Sequence, residues 1–383
     1  MDDLTTELDR RLAAADAALT ADYRGDRGVR QPVHTAYVPA DRYDVRTVAD
    51  WGAEARAALD EYPDFPKVLD LPDGVYDRVR AKLEREPIED LRIDFEDGYG
   101  NRPDDEEDAA AIAAAQIPRQ TPYYGLRIKS LEAPTRRRGV RTLDLFLEHL
   151  QTTEGLVVTL PKVTSVEQVE AMVYVLETLE RKHGLPELQF EIQVETPQAI
   201  LGSDGTALIA RMIKAGGRRV TGLHYGTYDY SASLGVAAAY QSMEHPVADH
   251  AKDVMQLAAA GTGVFVSDGS TNVLPVGDAV HDAWQLHFRL VRRSLARAIY
   301  QGWDMHPAQL PTRFAATYAF YREGFDQAAL RLRAYLGDGE SGYLDEPATA
   351  TALAAFVLRG MDCGAIDTTE FNTTGLAKLA RRA

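Results

Sequence analysis

Charged side chains stand where a series of short apolar runs ends. Asp94-Phe95-Glu96-Asp97 closes one run, Arg127 and Lys129 another, and Pro161-Lys162 a third. Glu195-Thr196-Pro197, Gly226-Thr227-Tyr228-Asp229, Asp268 and His306-Pro307 close four more. Unpaired charge buried in a strand is costly, so this recurrence points to one shared polar centre. Taken singly, each position reads equally well as a solvated loop residue. Glu195 and Asp229, from neighbouring runs, are candidates to place hard oxygens on one octahedral cation. Water and substrate oxygens would complete the shell, as Mg2+ prefers.

The planar fork of Arg127 suits bidentate capture of a carboxylate or polarisation of a carbonyl; the competing reading is an ion pair with Asp94 or Glu96. Lys162 could serve as a Schiff-base lysine, but an acidic neighbourhood keeps its amine protonated, which predicts an electrostatic role. His34 and His306 read either as proton carriers or as hydrogen-bonded structural histidines. Arg136-Arg137-Arg138, expected in a loop, reads as a phosphate contact for a large substrate or as solvated charge.

These side chains need a scaffold that brings many run ends together. Eight runs are visible: His34 to Val38, Leu91 to Phe95, Tyr124 to Ile128, Leu156 to Leu160, Leu188 to Val194, Val220 to Tyr225, Gly263 to Val266 and Gly302 to Met305. Helical spacing fills the gaps at Asp104 to Ala115, Arg141 to Leu150, Ser165 to Arg181, Thr206 to Ala215, Pro246 to Ala259 and Asp278 to Tyr300. This alternation predicts an α/β fold, a (β/α)8 TIM barrel with its chemistry at the carboxyl ends of the strands; a doubly wound open sheet is the competing architecture. The long first gap predicts two helices, Trp51 to Leu59 and Val75 to Leu83. The expected division is an N-terminal helical extension over 1–33, the barrel over 34–315 and a C-terminal helical appendage over 316–383. That appendage is helical to Leu336, breaks at Gly337 to Gly342, and resumes over Ala348 to Arg359.

The 383 residues carry 42 basic and 58 acidic side chains, a formal charge of −16. That balance disfavours nucleic acid, whose binding rests on Lys and Arg at phosphates. No apolar run approaches the roughly 20 residues of a membrane span. The acidic start lacks the positive region of a secretory signal, which predicts a cytoplasmic protein without a membrane partner. One cysteine, Cys363, excludes an internal disulfide and a thiolate metal site.

Several strings, in order, resemble the HpcH/HpaI aldolase and citrate lyase beta subunit family with its acyl-CoA lyase relatives. They are Tyr37-Val38-Pro39, Asp94-Phe95-Glu96-Asp97-Gly98, Arg127-Ile128, Leu160-Pro161-Lys162-Val163, Glu195-Thr196, Tyr225-Gly226 with Asp229 and Leu234-Gly235, and His306-Pro307-Ala308-Gln309. The resemblance runs from about His34 to about Ala355. It implies Mg2+, with Mn2+ as the alternative, held by Glu195 and Asp229, and Arg127 on substrate oxygens. Asp94, Pro161 and Lys162 would line the substrate, while Glu96 and Asp97 orient metal-bound water. It also implies a catalytic base, Asp345 of Tyr343-Leu344-Asp345-Glu346-Pro347, delivered within its own chain or by a neighbouring subunit of a trimer or hexamer. The chain departs from the family at Lys129, where Asn is common, and at Tyr228, expected to narrow the pocket.

The implied chemistry is cleavage or formation of a carbon–carbon bond in a small oxo- or hydroxy-acid, free or as a CoA thioester, through a metal-stabilised enolate. The alternatives are a catalytically silent subunit that binds an oxo-acid and Mg2+, and a thioester hydrolase.

Overall fold

The computed structural model describes residues 2–380. Eight parallel strands form one sheet: β1 (Thr35–Pro39), β2 (Asp90–Asp94), β3 (Tyr123–Arg127), β4 (Leu156–Leu160), β5 (Gln189–Val194), β6 (Val220–Tyr225), β7 (Phe265–Ser267) and β8 (Trp303–Asp304). The order is β7-β6-β5-β4-β3-β2-β1-β8, sequential throughout, with no reversal of the kind a doubly wound sheet requires. Closure comes between β7 and β8, where Ser267 bridges Gln301 and the Asp268 N–H donates to the Gln301 carbonyl at 2.9 Å. The fold is a nearly closed (β/α)8 barrel.

Period-two alternation decides what the strands point inward. On β5, Phe190, Ile192 and Val194 pack outward into the hydrophobic core, leaving Glu191, Gln193 and then Glu195 on the opposite face. On β2, Leu91 and Ile93 join that core while Asp90, Arg92 and Asp94 take the other face, and all five residues are buried. The lumen is therefore unusually charged, and its charges are paired. Arg92 donates to Asp90 at 2.5 Å and to Glu191 at 3.0 and 2.8 Å.

The first excursion folds as helices Thr47–Glu61 and Val75–Arg85, with a short turn of helix at Phe65–Val68 between them. The arginine run expected in a loop instead opens the helix Arg136–His149. The physical reason is packing: Leu143, Phe146 and Leu147 bury one face of that helix, and Arg138 fastens its first turn to Asp104 (3.3 Å), Glu107 (3.3 Å) and Asp108 on the preceding helix.

An N-terminal helix, Asp2–Asp22, is exposed over most of its length and leads into a segment that crosses the N-terminal end of the barrel. After β8 the helix Leu310–Tyr335 runs back down the outside, through the position at which the appendage was expected to begin. Its first turns are buried against the barrel, and the helix Pro347–Asp362 packs antiparallel along it, Tyr321 against Phe356 and the Tyr318 hydroxyl on the carbonyl of Cys363 just beyond that helix.

Candidate active site at the carboxyl ends of the strands

The in-register pairing of β2 with β3 sets Asp94 beside Arg127. Their side chains meet fork to fork, Nε to Oδ1 at 2.7 Å and Nη2 to Oδ2 at 2.6 Å. Asp94 also accepts the N–H groups of Glu96 (2.9 Å) and Gly98 (2.8 Å), so its oxygens are fully engaged. The remaining Nη1 of Arg127 lies 3.3 Å from Glu96 Oε2 and 3.4 Å from Gln193 Oε1. Beneath the guanidinium lie the rings of Tyr37 and Trp303, at 5.0 and 6.0 Å. Burial pushes the Arg127 pKa down, but Asp94 foremost, then Glu96 and Tyr37, outweigh it and hold the pKa well above its ordinary value.

Lys162 links three strand ends. Its backbone takes a positive φ of 51°, which a side-chain-bearing residue rarely adopts, and its N–H donates to Glu195 Oε1 at 2.6 Å. Its ammonium sits 2.5 Å from Glu96 Oε1, 2.8 Å from Asp97 Oδ2 and 4.0 Å from Asp229 Oδ2. Burial pushes that amine down, but Glu195, Glu96 and Asp97 outweigh it and hold the pKa above the usual lysine value. A Schiff-base role finds no support in this environment.

Glu195 is 1% exposed and receives the Gln193 amide on Oε2 at 2.5 Å. Burial foremost, against the opposing Lys162, then Glu96, push its carboxyl up to about 8, with a smaller contribution from Asp229. The space for this side chain exists because the residue that follows β6 beside it is Gly226. A Cβ there would stand 2.6 Å from Glu195 Cβ and 2.9 Å from Oε2. Asp229, in the short helix Thr227–Ser233, is half exposed.

Glu96, Asp97, Glu195 and Asp229 thus surround Lys162 near Arg127. With Asp94 the group holds five carboxyls against two permanent cations. The residues present fit a hard divalent cation. Among the described residues no group of three or more His, Cys, Asp or Glu side chains converges on a metal position. Two carboxylates with the shell completed by water and ligand oxygens is the usual mode of Mg2+.

Other expected residues lie elsewhere. Asp345 is ion-paired with Arg331, Oδ2 to Nε at 3.1 Å, and this partner holds its carboxyl below the usual range. The helix carrying Arg331 is about 39 Å long at 1.5 Å per residue. It starts at the carboxyl end of β8 and already meets Cys363, at the opposite end of the barrel, through Tyr318 (2.9 Å). Asp345 therefore lies beyond the far end and does not reach its own chain's carboxylate cluster. His34 is sealed between Asp304 (2.7 Å) and the Glu89 N–H (3.1 Å), while His306 caps Ala308 at 3.1 Å. Lys129 turns away to the Phe95 carbonyl (2.7 Å) and Glu107 (2.7 Å), and Tyr228 accepts the Asn272 N–H at 2.6 Å. Gln193 and Trp303 were not singled out from the sequence, and Gly226 was read only as part of a motif, not as the residue that makes room for Glu195. Only the alternation on β5, which puts Gln193 on the face of Glu195, was available to find the first.

The family described as Domain of unknown function (DUF6986) matches residues 12–382. No curated protein matches the sequence. Among solved structures, a citrate lyase from Burkholderia xenovorans LB400 aligns with a TM-score of 0.65 at 18% identity, over 91% of this chain and 96% of that one. The protein CitE from Mycobacterium tuberculosis, in complex with magnesium, acetoacetate and coenzyme A, aligns with a TM-score of 0.54 at 18% identity, over 87% and 98%. A Haloferax volcanii malate synthase, as its magnesium/glyoxylate complex, aligns with a TM-score of 0.51 at 13% identity, over 94% and 100%. The resemblance read from the motifs is thus matched by the fold.

Proposed function

Starting from a chain that belongs to the Domain of unknown function (DUF6986) family and folds like citrate lyase, we propose a Mg2+-dependent carbon–carbon lyase or aldolase for a small oxo- or hydroxy-acid, free or as a CoA thioester. The observation that carries this reading is the Arg127 guanidinium held beside the Glu96, Asp97, Glu195 and Asp229 carboxylates at one end of the barrel. The magnesium, acetoacetate, coenzyme A and glyoxylate named for the structural relatives agree with it.

Glu195 and Asp229 would hold the cation, Mg2+ or alternatively Mn2+, which supplies Lewis-acid stabilisation of the charge left by bond cleavage. Arg127 binds substrate oxygen through Nη1, the only part of its fork not taken by Asp94. Asp94 is a positioning residue for Arg127. Lys162 fixes Glu96 and Asp97, which orient water, and its N–H with Pro161 forms the floor next to Glu195. A base is still required, to exchange the proton at the methyl carbon of a CoA thioester. Asp345 of the partner subunit fills that role in this proposal, which makes the working form a homo-oligomer, a trimer or hexamer.

Retro-aldol assays across hydroxy- and oxo-acids and their CoA thioesters, with Mg2+ and after EDTA, test the reading. Turnover abolished by EDTA and restored by Mg2+ is expected. Activity surviving full metal removal overturns it, and free CoA without an aldehyde or oxo-acid product reassigns the protein as a hydrolase.

A further inference from the structure

The N-terminal face of a (β/α)8 barrel ordinarily serves stability, packed by side chains. Here it encloses a cavity of about 560 Å³, reached by the first residues of β2 to β7 and covered by the segment that follows the N-terminal helix. That volume lies in the range of small-molecule sites. The cover is pinned in place. The Gly25 N–H donates to the Gly261 carbonyl at 2.8 Å, and the Tyr123 hydroxyl donates to the Arg30 carbonyl at 2.8 Å. Gly263, at φ 82°, permits the close passage, since a Cβ there would lie 2.7 Å from the Gly25 oxygen.

The wall carries guanidinium groups that the protein itself leaves underused. Arg27 stacks over the Phe265 ring at 4.4 Å and gives one Nη hydrogen to the Thr221 carbonyl at 3.3 Å, while its Nε is buried without a hydrogen-bond partner. Arg24 donates to the Gly217 carbonyl at 2.9 Å, and Arg218 makes no salt bridge among the described residues. The buried acids on the wall, Asp90 and Glu191, are already held by Arg92. His224, 2% exposed, uses Nε2 at 3.0 Å from Glu191 and leaves Nδ1 without a hydrogen-bond partner on the same wall. Buried polar nitrogens in native proteins are nearly always satisfied by protein, water or ligand.

We propose that this cavity is a second binding site, for a small oxyanion of carboxylate or phosphate type, with its charged end on Arg27 and Arg218 and its body against Phe265. The guanidinium fork matches both head groups. The site stands apart from the carboxylate cluster by the length of the strands. β5 nevertheless joins them, with Glu191 near this end and Glu195 directly after its last residue at the other, so an occupant here bears on the strand that leads into a proposed metal ligand.

The test is calorimetric titration of inorganic phosphate, and separately of benzoate, into the full chain and into Arg27→Gln, Arg218→Gln and Glu195→Gln. Saturable binding of either probe by the wild type is expected, weakened at least about tenfold in both arginine variants and retained in Glu195→Gln. The tighter probe identifies the head group. Absence of saturable binding overturns the proposal, as does equal binding by wild type and arginine variants, which would mean an adventitious ion only. Loss in Glu195→Gln with retention in the arginine variants would place the anion at the carboxyl end instead. Should Arg27→Gln not fold, the exposed Arg218 decides the result alone.

Discussion

The Gln193 side chain joins Arg127 to Glu195: its amide nitrogen is 2.5 Å from Glu195 Oε2 and its oxygen 3.4 Å from Arg127 Nη1. An uncharged residue near the carboxyl end of β5 thereby couples the proposed substrate-binding cation to the proposed metal-binding carboxylate. Replacing it by Leu removes both contacts while filling similar volume. Loss of an outer contact of this kind costs about 10- to 100-fold in metal affinity or activity. Gln193→Leu should therefore weaken Mg2+ binding and kcat together, with the melting temperature nearly unchanged, as steady-state kinetics and calorimetry would show. Unchanged Mg2+ affinity would refute the coupling.

Glu195→Gln should separate function from stability. A buried carboxyl near Glu96 and Asp229 is held against electrostatic preference, and the isosteric amide relieves that without creating a void. In the absence of metal the variant should melt at the same temperature as wild type or higher. Added Mg2+ should raise the wild-type melting temperature, since a ligand at 100 times its Kd contributes about 2.7 kcal/mol, and leave the variant unmoved. An equal Mg2+ shift in both proteins removes Glu195 from the ligand set.

Gly226→Ala offers a steric test of the same carboxylate. The new methyl would stand 2.6 Å from Glu195 Cβ, and overpacking of this kind costs about 1–3 kcal/mol. The expected result is a lower melting temperature together with weakened Mg2+ binding, whereas Gly235→Ala, strained by its φ of 74° but with nothing within 4 Å of the new methyl, should lower the melting temperature and leave Mg2+ affinity unchanged. Differential melting curves with and without Mg2+ read both.

Acid stability should follow the buried cluster at the lower end of β8. His287, enclosed with Asp304, Arg313 and His34, has its pKa lowered by burial from the ordinary 6.5. The unfolded chain thus takes up a proton as pH falls through 6.5 while the folded chain does not, and stability declines from there downward. Asp304 is held well below 3.8: burial raises it, and Arg313 with the two histidines overrides that. Its contribution is full above 3.8 and is lost only as pH falls below that value. Glu195, held up to about 8, keeps a proton in the folded chain that the unfolded chain loses above 4.5, so its own contribution declines as pH rises. In the Glu195→Gln background, which removes that opposing slope, urea midpoints measured from pH 8 to pH 4 should vary little above about 6.5 and fall below it. The fall between 6.5 and 5 should shrink in His287→Gln, and an identical slope in that variant would discount the histidine.

Local periodicity was enough to place the eight strands and the barrel they form, and it holds the face of each strand as well. Phe190-Glu191-Ile192-Gln193-Val194-Glu195 states on its own which side meets the helices, because burial on a strand repeats every second residue. The charges at the run ends likewise announced a polar centre near Glu195, Asp229 and Arg127. Tertiary structure decided the rest. Lys162 faces Glu96, Asp97 and Asp229 only because closure of the barrel brings three separate strand ends within a few ångströms. Asp345 falls at the opposite end because the length of the helix Leu310–Tyr335 carries it there, and the arginine run turned helical because its neighbours bury a face. A sequence records which face of an element is buried; which distant residues share that burial is set by how the elements close on one another.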